Sequence, residues 1–160
     1  MSFYCGRNGM RFIRLIIMTA LAFWVAAGDP VRAQDDYAAQ KVIYHINLAG
    51  GDDGSAYKGA LNNMRNHLEA VGKANIDLRV VMHGDGVGLL QAAKDNQQLQ
   101  GLIVSLKNDG VRFLVCNNTL VGRDIDPEQD LFDVWPEDIV PSGVAEIAKL
   151  QLEGFVYIKP

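Results

Sequence analysis

The chain has 160 residues, 49% of them hydrophobic and 21% charged, a globular composition that is long enough for one core and too short for two. Without residues 1–33, which read as a leader, it carries 11 basic and 18 acidic residues, a net of −7. No basic cluster remains to neutralise phosphates, so nucleic acid and anionic lipid are disfavoured as partners, and the acidity reads as solubility.

Arg7, Arg11 and Arg14 precede an apolar run from Leu15 to Ala27; Gly28-Asp29-Pro30 breaks the run, and Val31-Arg32-Ala33 follows. That order is a signal peptide's, with cleavage expected after Ala33. The apolar run is shorter than the roughly 20 residues that span a bilayer. The expectation is therefore a periplasmic or secreted domain, residues 34–160, with no membrane attachment once the leader is gone. Met10 would begin a more conventional leader than Met1, so both are candidate starts. Cys5 leaves with the leader, which makes Cys116 the one thiol of the mature domain and rules out a disulfide within it. A leftover cysteine in an exported protein is a reactive thiol, an intermolecular partner or a small buried hydrophobe.

Lys41–Asn47 is an apolar, β-branched run of strand length. Glycine-rich turn chemistry follows from Ala49 to Gly54, after which Ser55 is placed to cap a helix. That helix carries Leu61, Met64, Leu68 and Val71 at helical spacing and stops at Gly72. Ile76–Met82 becomes continuously apolar, as a strand covered on both faces does. His83-Gly84-Asp85-Gly86-Val87-Gly88 closes it, and a short helix near Leu89 to Lys94 comes next. Leu99, Leu102, Ile103 and Leu106 then mark a longer helix ended by Gly110. Val111–Cys116 is the third strand, and Asn117-Asn118-Thr119 can open a helical turn from side-chain oxygens. A loop leads through Asp126-Pro127 and Trp135-Pro136 to a short strand at 138–140. Pro141-Ser142-Gly143 starts a last helix, and Phe155–Ile158 is the last strand. The alternation predicts one α/β domain of three layers, with a mostly parallel, Rossmann- or flavodoxin-like sheet of about five strands.

In such sheets sites gather beyond the carboxyl ends of the strands. Asn47, His83 with Gly84, and Cys116 with Asn117 occupy three of those ends. A cysteine there, followed at once by a helix start, faces unpaired N–H groups that favour the thiolate. His83 is the best-placed polar partner, although flavodoxin-like order, with the first strand between the second and third, would separate it from Cys116 by about 10 Å. His45, mid-strand, reads as a satisfied core histidine, and His67 as facing solvent or capping a groove. Gly84–Gly88 has the wrong spacing for a dinucleotide loop, and one cysteine with scattered histidines lacks paired zinc-ligand spacing. No cofactor is expected; a soft metal site from Cys116, His83 and Met82 is a minor alternative. Ser142 suits a helix cap better than a nucleophile.

Taken in order, Lys41–Asn47, Ala60-Leu61-Asn62-Asn63, His83–Val87, Gly110–Leu120, Val140–Glu146 and Gly154–Ile158 resemble the DsrE/DsrF-like family over residues 41–160. The resemblance implies a compact α/β domain assembled as a trimer or hexamer, with sulfur carried between donor and acceptor proteins as a persulfide on a cysteine at the end of the third strand. Cys116 matches that place. The order Gly122-Arg123 reverses the pattern a few residues later, and the leader departs from the cytoplasmic setting of most relay members. The expectation is a carrier more than a turnover enzyme, with Cys116 accepting the sulfur and His83, Gly84, Asn117, Asn118, Thr119, Asn47, Ser142 and Gly143 as the candidate binding residues around it. The rival expectation is a binding or oligomeric interaction module in which Cys116 is structural.

Overall fold

The computed structural model describes residues 37–51 and 53–160. The expected leader and its cleavage point lie outside the described residues. Five strands form one all-parallel sheet: β1 (Gln40–Ile46), β2 (Ile76–Met82), β3 (Arg112–Cys116), β4 (Ile139–Val140) and β5 (Val156–Ile158), in the order β4-β3-β2-β1-β5. The helices are α1 (Ser55–Val71), α2 (Gly88–Ala93), α3 (Gln97–Asn108), α4 (Asn117–Gly122), α5 (Pro127–Asp130) and α6 (Gly143–Leu152).

Strand alternation divides the core in two. Val42, Tyr44, Ile46, Leu78, Val80, Met82, Phe113 and Val115 point to one face and pack on Leu61, Met64 and Leu68 of α1, Leu89 and Leu90 of α2, and Leu99, Ile103 and Leu106 of α3. Ile43, Val81 and Leu114 point to the other and meet Leu150 of α6 and Phe155. The fold is a three-layer α/β domain, as the alternation of strands and helices requires. Arg79 and Lys41 extend the second face by lying over the Phe155 ring, at 4.9 and 5.4 Å from its centroid, where their stems cover apolar surface and their charges reach water.

The observed order corrects one expectation. The middle strand is β2, not β1, so β2 pairs with β1 on one side and with β3 on the other. Met82 lies opposite Val115, and Cys116 opposite Val140. One step beyond, His83 therefore falls beside Cys116, one strand spacing away at roughly 5 Å rather than two. The His83 N–H, bonded to the Ile46 carbonyl at 3.3 Å, continues the β1–β2 ladder to that point.

The loops beyond the strands are held by close backbone approaches. Tyr57 threads between Gly50 and Gly88, where a side chain would begin 2.3 and 2.8 Å from its ring and hydroxyl, and donates to the Asp85 carbonyl at 2.8 Å. A side chain at Gly86 would begin 2.0 Å from the Ile46 carbonyl oxygen. The cap of α1 also differs from expectation. Gly54 is its N-cap, and the Asp53 carboxylate accepts the Ser55 N–H at 2.9 Å, so the capping oxygen comes from Asp53 and not from Ser55.

These approaches separate two glycines sharply. Gly86→Ala is expected to cost about 2 kcal/mol or more, because backbone must move. Gly59→Ala, in the interior of α1 with open space around it, is expected to gain roughly 0.5–1 kcal/mol. Urea unfolding midpoints of the two variants measure the difference.

Candidate functional site

Cys116 ends β3 and is itself the N-cap of α4, with φ −71° and ψ 114°. The helix was expected to open from the oxygens of Asn117 and Thr119; the cysteine occupies the capping position instead. Its sulfur takes the place that a Ser or Asp oxygen fills in other helices, before the N–H groups of the first turn. Burial pushes the thiol up. Against it act the Gly143 N–H, the Thr119 hydroxyl, and the Thr119 and Asn118 N–H groups, and together these hold Cys116 below the usual thiol value. The α4 donors do not close full hydrogen bonds to the sulfur; they act as fixed dipoles whose pull grows with negative charge on it.

Gly143 brings a second helix end to the thiol. Ser142 is the N-cap of α6 and accepts the Ala145 N–H at 3.4 Å, so the serine does the capping work expected of it. A side chain at 143 would begin 3.1 Å from His83 Cβ and 3.3 Å from Cys116 Cβ. A residue with one would need His83 and Cys116 to give by a few tenths of an ångström, so glycine suits the close approach of α6 to both. Thr119 ties in the β2 loop, since its hydroxyl oxygen accepts the Gly84 N–H at 3.0 Å. Gly84 itself has φ 55°, in the left-handed region that favours glycine. At the rim, Arg123 pairs with Asp85 at 2.8 Å, both about half exposed, a link worth at most about 1 kcal/mol.

The imidazole of His83 is engaged on its β1 side. His83 Nε2 lies 2.7 Å from His45 Nε2, and His45 Nδ1 lies 2.7 Å from the Tyr157 hydroxyl. His45 is thus satisfied, as a core histidine should be, yet it is also joined to the site. Neither it nor Tyr157 stood out in the sequence as a site residue. His67, expected to face solvent or cap a groove, bridges α1 to β1 instead, with Nδ1 3.2 Å from the Tyr44 hydroxyl and Nε2 2.8 Å from Gln40 Oε1.

Of the residues singled out from sequence, Cys116, Asn118, Thr119, His83, Gly84, Ser142 and Gly143 converge. Asn118 contributes through its backbone N–H. Asn117 faces a separate groove, lined also by Leu120, Val121 and Ile139. Asn47 lines a small cavity of about 120 Å³ with His45, Tyr57 and Lys159, and its buried Oδ1 has no hydrogen-bond partner among the described residues. Met82 points into the opposite layer, among the residues packed on α1–α3, so it does not meet Cys116 and His83 as a metal site would need. Cys116 is also more covered than its place at the end of a strand suggests, at 5% exposure. The Gly143, Thr119 and Asn118 N–H groups and the Thr119 hydroxyl are among the groups that act on it there.

The sequence profile of the DsrE/DsrF-like family matches residues 41–160, a span that runs from the second residue of β1 through β5. The chain belongs to the DsrE/DsrF-like family. Membership points, in general terms, to a role in sulfur relay. Among solved structures the chain is similar to MTH1491, a protein of unknown function from Methanobacterium thermoautotrophicum, at 32% identity and a TM-score of 0.62, over 76% of this chain and 99% of that one. A search of curated proteins returns no match.

The histidines give the domain an acid limit. Burial, then His83 and Lys159, lowers His45 from 6.5 to about 4. Burial, then Lys159, lowers His83, and burial lowers His67. A base depressed in the fold is neutral there, so the unfolded chain binds more protons between the two pKa values; for His45, stability is full above 6.5 and is lost as the pH falls toward 4. The urea midpoint is expected to drop between about pH 7 and about pH 4.5 and to drop less in His45→Gln, which cannot titrate. Equal drops in both proteins would count against this assignment.

Proposed function

We propose that the mature domain, released by cleavage after Ala33 into the periplasm or the medium, carries sulfane sulfur as a persulfide on Cys116 and works as a trimer or hexamer. The observation that carries this reading is the placement of the one mature thiol as the N-cap of α4 beneath the Gly143 N–H of α6. Donors directed at the sulfur favour its thiolate, and the thiolate is the form that attacks a sulfur–sulfur bond. Thr119 fixes the second loop against the site, and His83 adds a polar side chain one strand away. Family membership supplies the general chemistry; the persulfide, the compartment and the assembly are specific to the proposal. Such a protein is a carrier, with no turnover until a donor and an acceptor are present.

The burial of Cys116 favours a second reading, in which the cysteine is packed and the domain is a binding or interaction module. Two measurements separate them. The mature protein incubated with polysulfide or thiosulfate, sulfite leaving in the latter case, is expected to gain one or more sulfur atoms by intact mass, and Cys116→Ser to gain none. A thiol that reacts with a maleimide only after unfolding, together with no mass gain, contradicts the carrier reading and supports the module.

A further inference from the structure

Tyr157, His45 and His83 form a continuous hydrogen-bonded chain that the attack by Cys116 does not by itself use. Each link is 2.7 Å long, and His45, in the middle, is only 9% exposed. Two imidazole nitrogens facing each other need one proton between them, so one ring donates and the other accepts. Two arrangements satisfy all three groups. In the first, Tyr157 donates to His45 Nδ1, His45 donates from Nε2 to His83, and His83 keeps its proton on Nδ1. In the second every link is reversed, the Tyr157 hydroxyl proton turns outward, and His83 Nδ1 is bare. Both keep the rings neutral, in agreement with the downward shifts of His45 and His83, which burial causes first. Passing from one arrangement to the other moves a proton along the chain while charging neither imidazole.

The ends of the chain lie where such a transfer is useful. Tyr157 sits on the edge strand β5 and is 39% exposed, within reach of water. By register His83 stands one strand spacing from Cys116; its Cβ and Cδ2 and the Cys116 Cβ pack against Gly143, and with Nε2 engaged by His45 its Nδ1 is the ring nitrogen left to donate.

We propose that Tyr157, His45 and His83 are a proton wire that protonates the thiolate expelled when Cys116 attacks a sulfur–sulfur bond, with His83 as the donor and His45 and Tyr157 as positioning residues acting through it. This rests on Cys116 being the attacking thiolate. With a donor persulfide R–S–SH, the Cys116 thiolate bonds to the outer sulfur, the donor's S–S bond breaks, and its electron pair leaves on R–S⁻. His83 Nδ1 gives up its proton to form R–SH, His83 Nε2 takes the His45 proton, His45 takes the Tyr157 proton, and water restores Tyr157. One thiolate, one persulfide and one solvent proton become a Cys116 persulfide and a thiol, with no oxidant or reductant consumed.

A wire of this kind matters only when the leaving thiolate is strongly basic. The mature protein is therefore reacted with two disulfides: dithiobis-nitrobenzoate, whose weakly basic aromatic thiolate leaves readily, and glutathione disulfide, whose more basic alkyl thiolate leaves more slowly and gains more from protonation. The readout is the ratio of the two rates, which cancels any change in thiol access. Tyr157→Phe and His45→Gln are expected to shift the ratio against glutathione disulfide roughly tenfold, and His83→Asn roughly a hundredfold, the scale of a lost general acid. An unchanged ratio in all three variants overturns the wire and leaves the thiol reading intact. A folded wild-type protein inert to both disulfides overturns both.

Discussion

The absence of a side chain at position 143 is the constraint on which the site depends. A Cβ there would meet the Cβ atoms of His83 and Cys116 at 3.1 and 3.3 Å, a tight contact that the start of α6 avoids in reaching the ends of β2 and β3 together. Because it does, one backbone N–H from a ten-residue helix joins those of α4 at a single sulfur. The parallel register does the rest. It puts His83 and Cys116 side by side on the face that α6 covers, and leaves the larger hydrophobic layer of α1–α3 on the opposite face.

The electrostatics of the site are local and run against the charge of the whole domain. Residues 34–160, with a net of −7, would on their long-range field alone discourage a thiolate. Oriented N–H groups within contact distance outweigh distant carboxylates, which solvent screens over about 10 Å. Burial works against the charged sulfur as well, yet the same exclusion of water strengthens each directed dipole. The chemistry at Cys116 therefore depends on preorganised backbone more than on any charged side chain.

Much of this was legible in the sequence. Apolar runs located the first three strands within a residue at each end, and a helix-opening segment after Cys116 identified the thiol as the feature to follow. Strand order was not legible, because periodicity says which face a residue takes and nothing about which strand lies beside it; hence the expected 10 Å gap to His83 that the order β3-β2-β1 removes. His45 read as a core histidine and is one, but its link to the site needed β5, whose pairing with β1 no local pattern announces. Short caps were the least secure. Asp53 stands in for Ser55, Cys116 for Asn117, and Asp126-Pro127, read as loop, caps and starts α5 by accepting the Glu128 and Gln129 N–H groups. In each case several neighbouring residues could supply the acceptor, and tertiary position decided between them.

Whether backbone donors overcome burial at Cys116 is open to direct measurement. Titration of folded protein comprising residues 34–160, following thiolate absorbance in the ultraviolet with Cys116→Ser as the blank, reads the ionisation of this one sulfur. The midpoint is expected below the ordinary thiol value of 9.0; a midpoint at or above it would show that burial wins and that the N–H groups of α4 and α6 do not stabilise the thiolate.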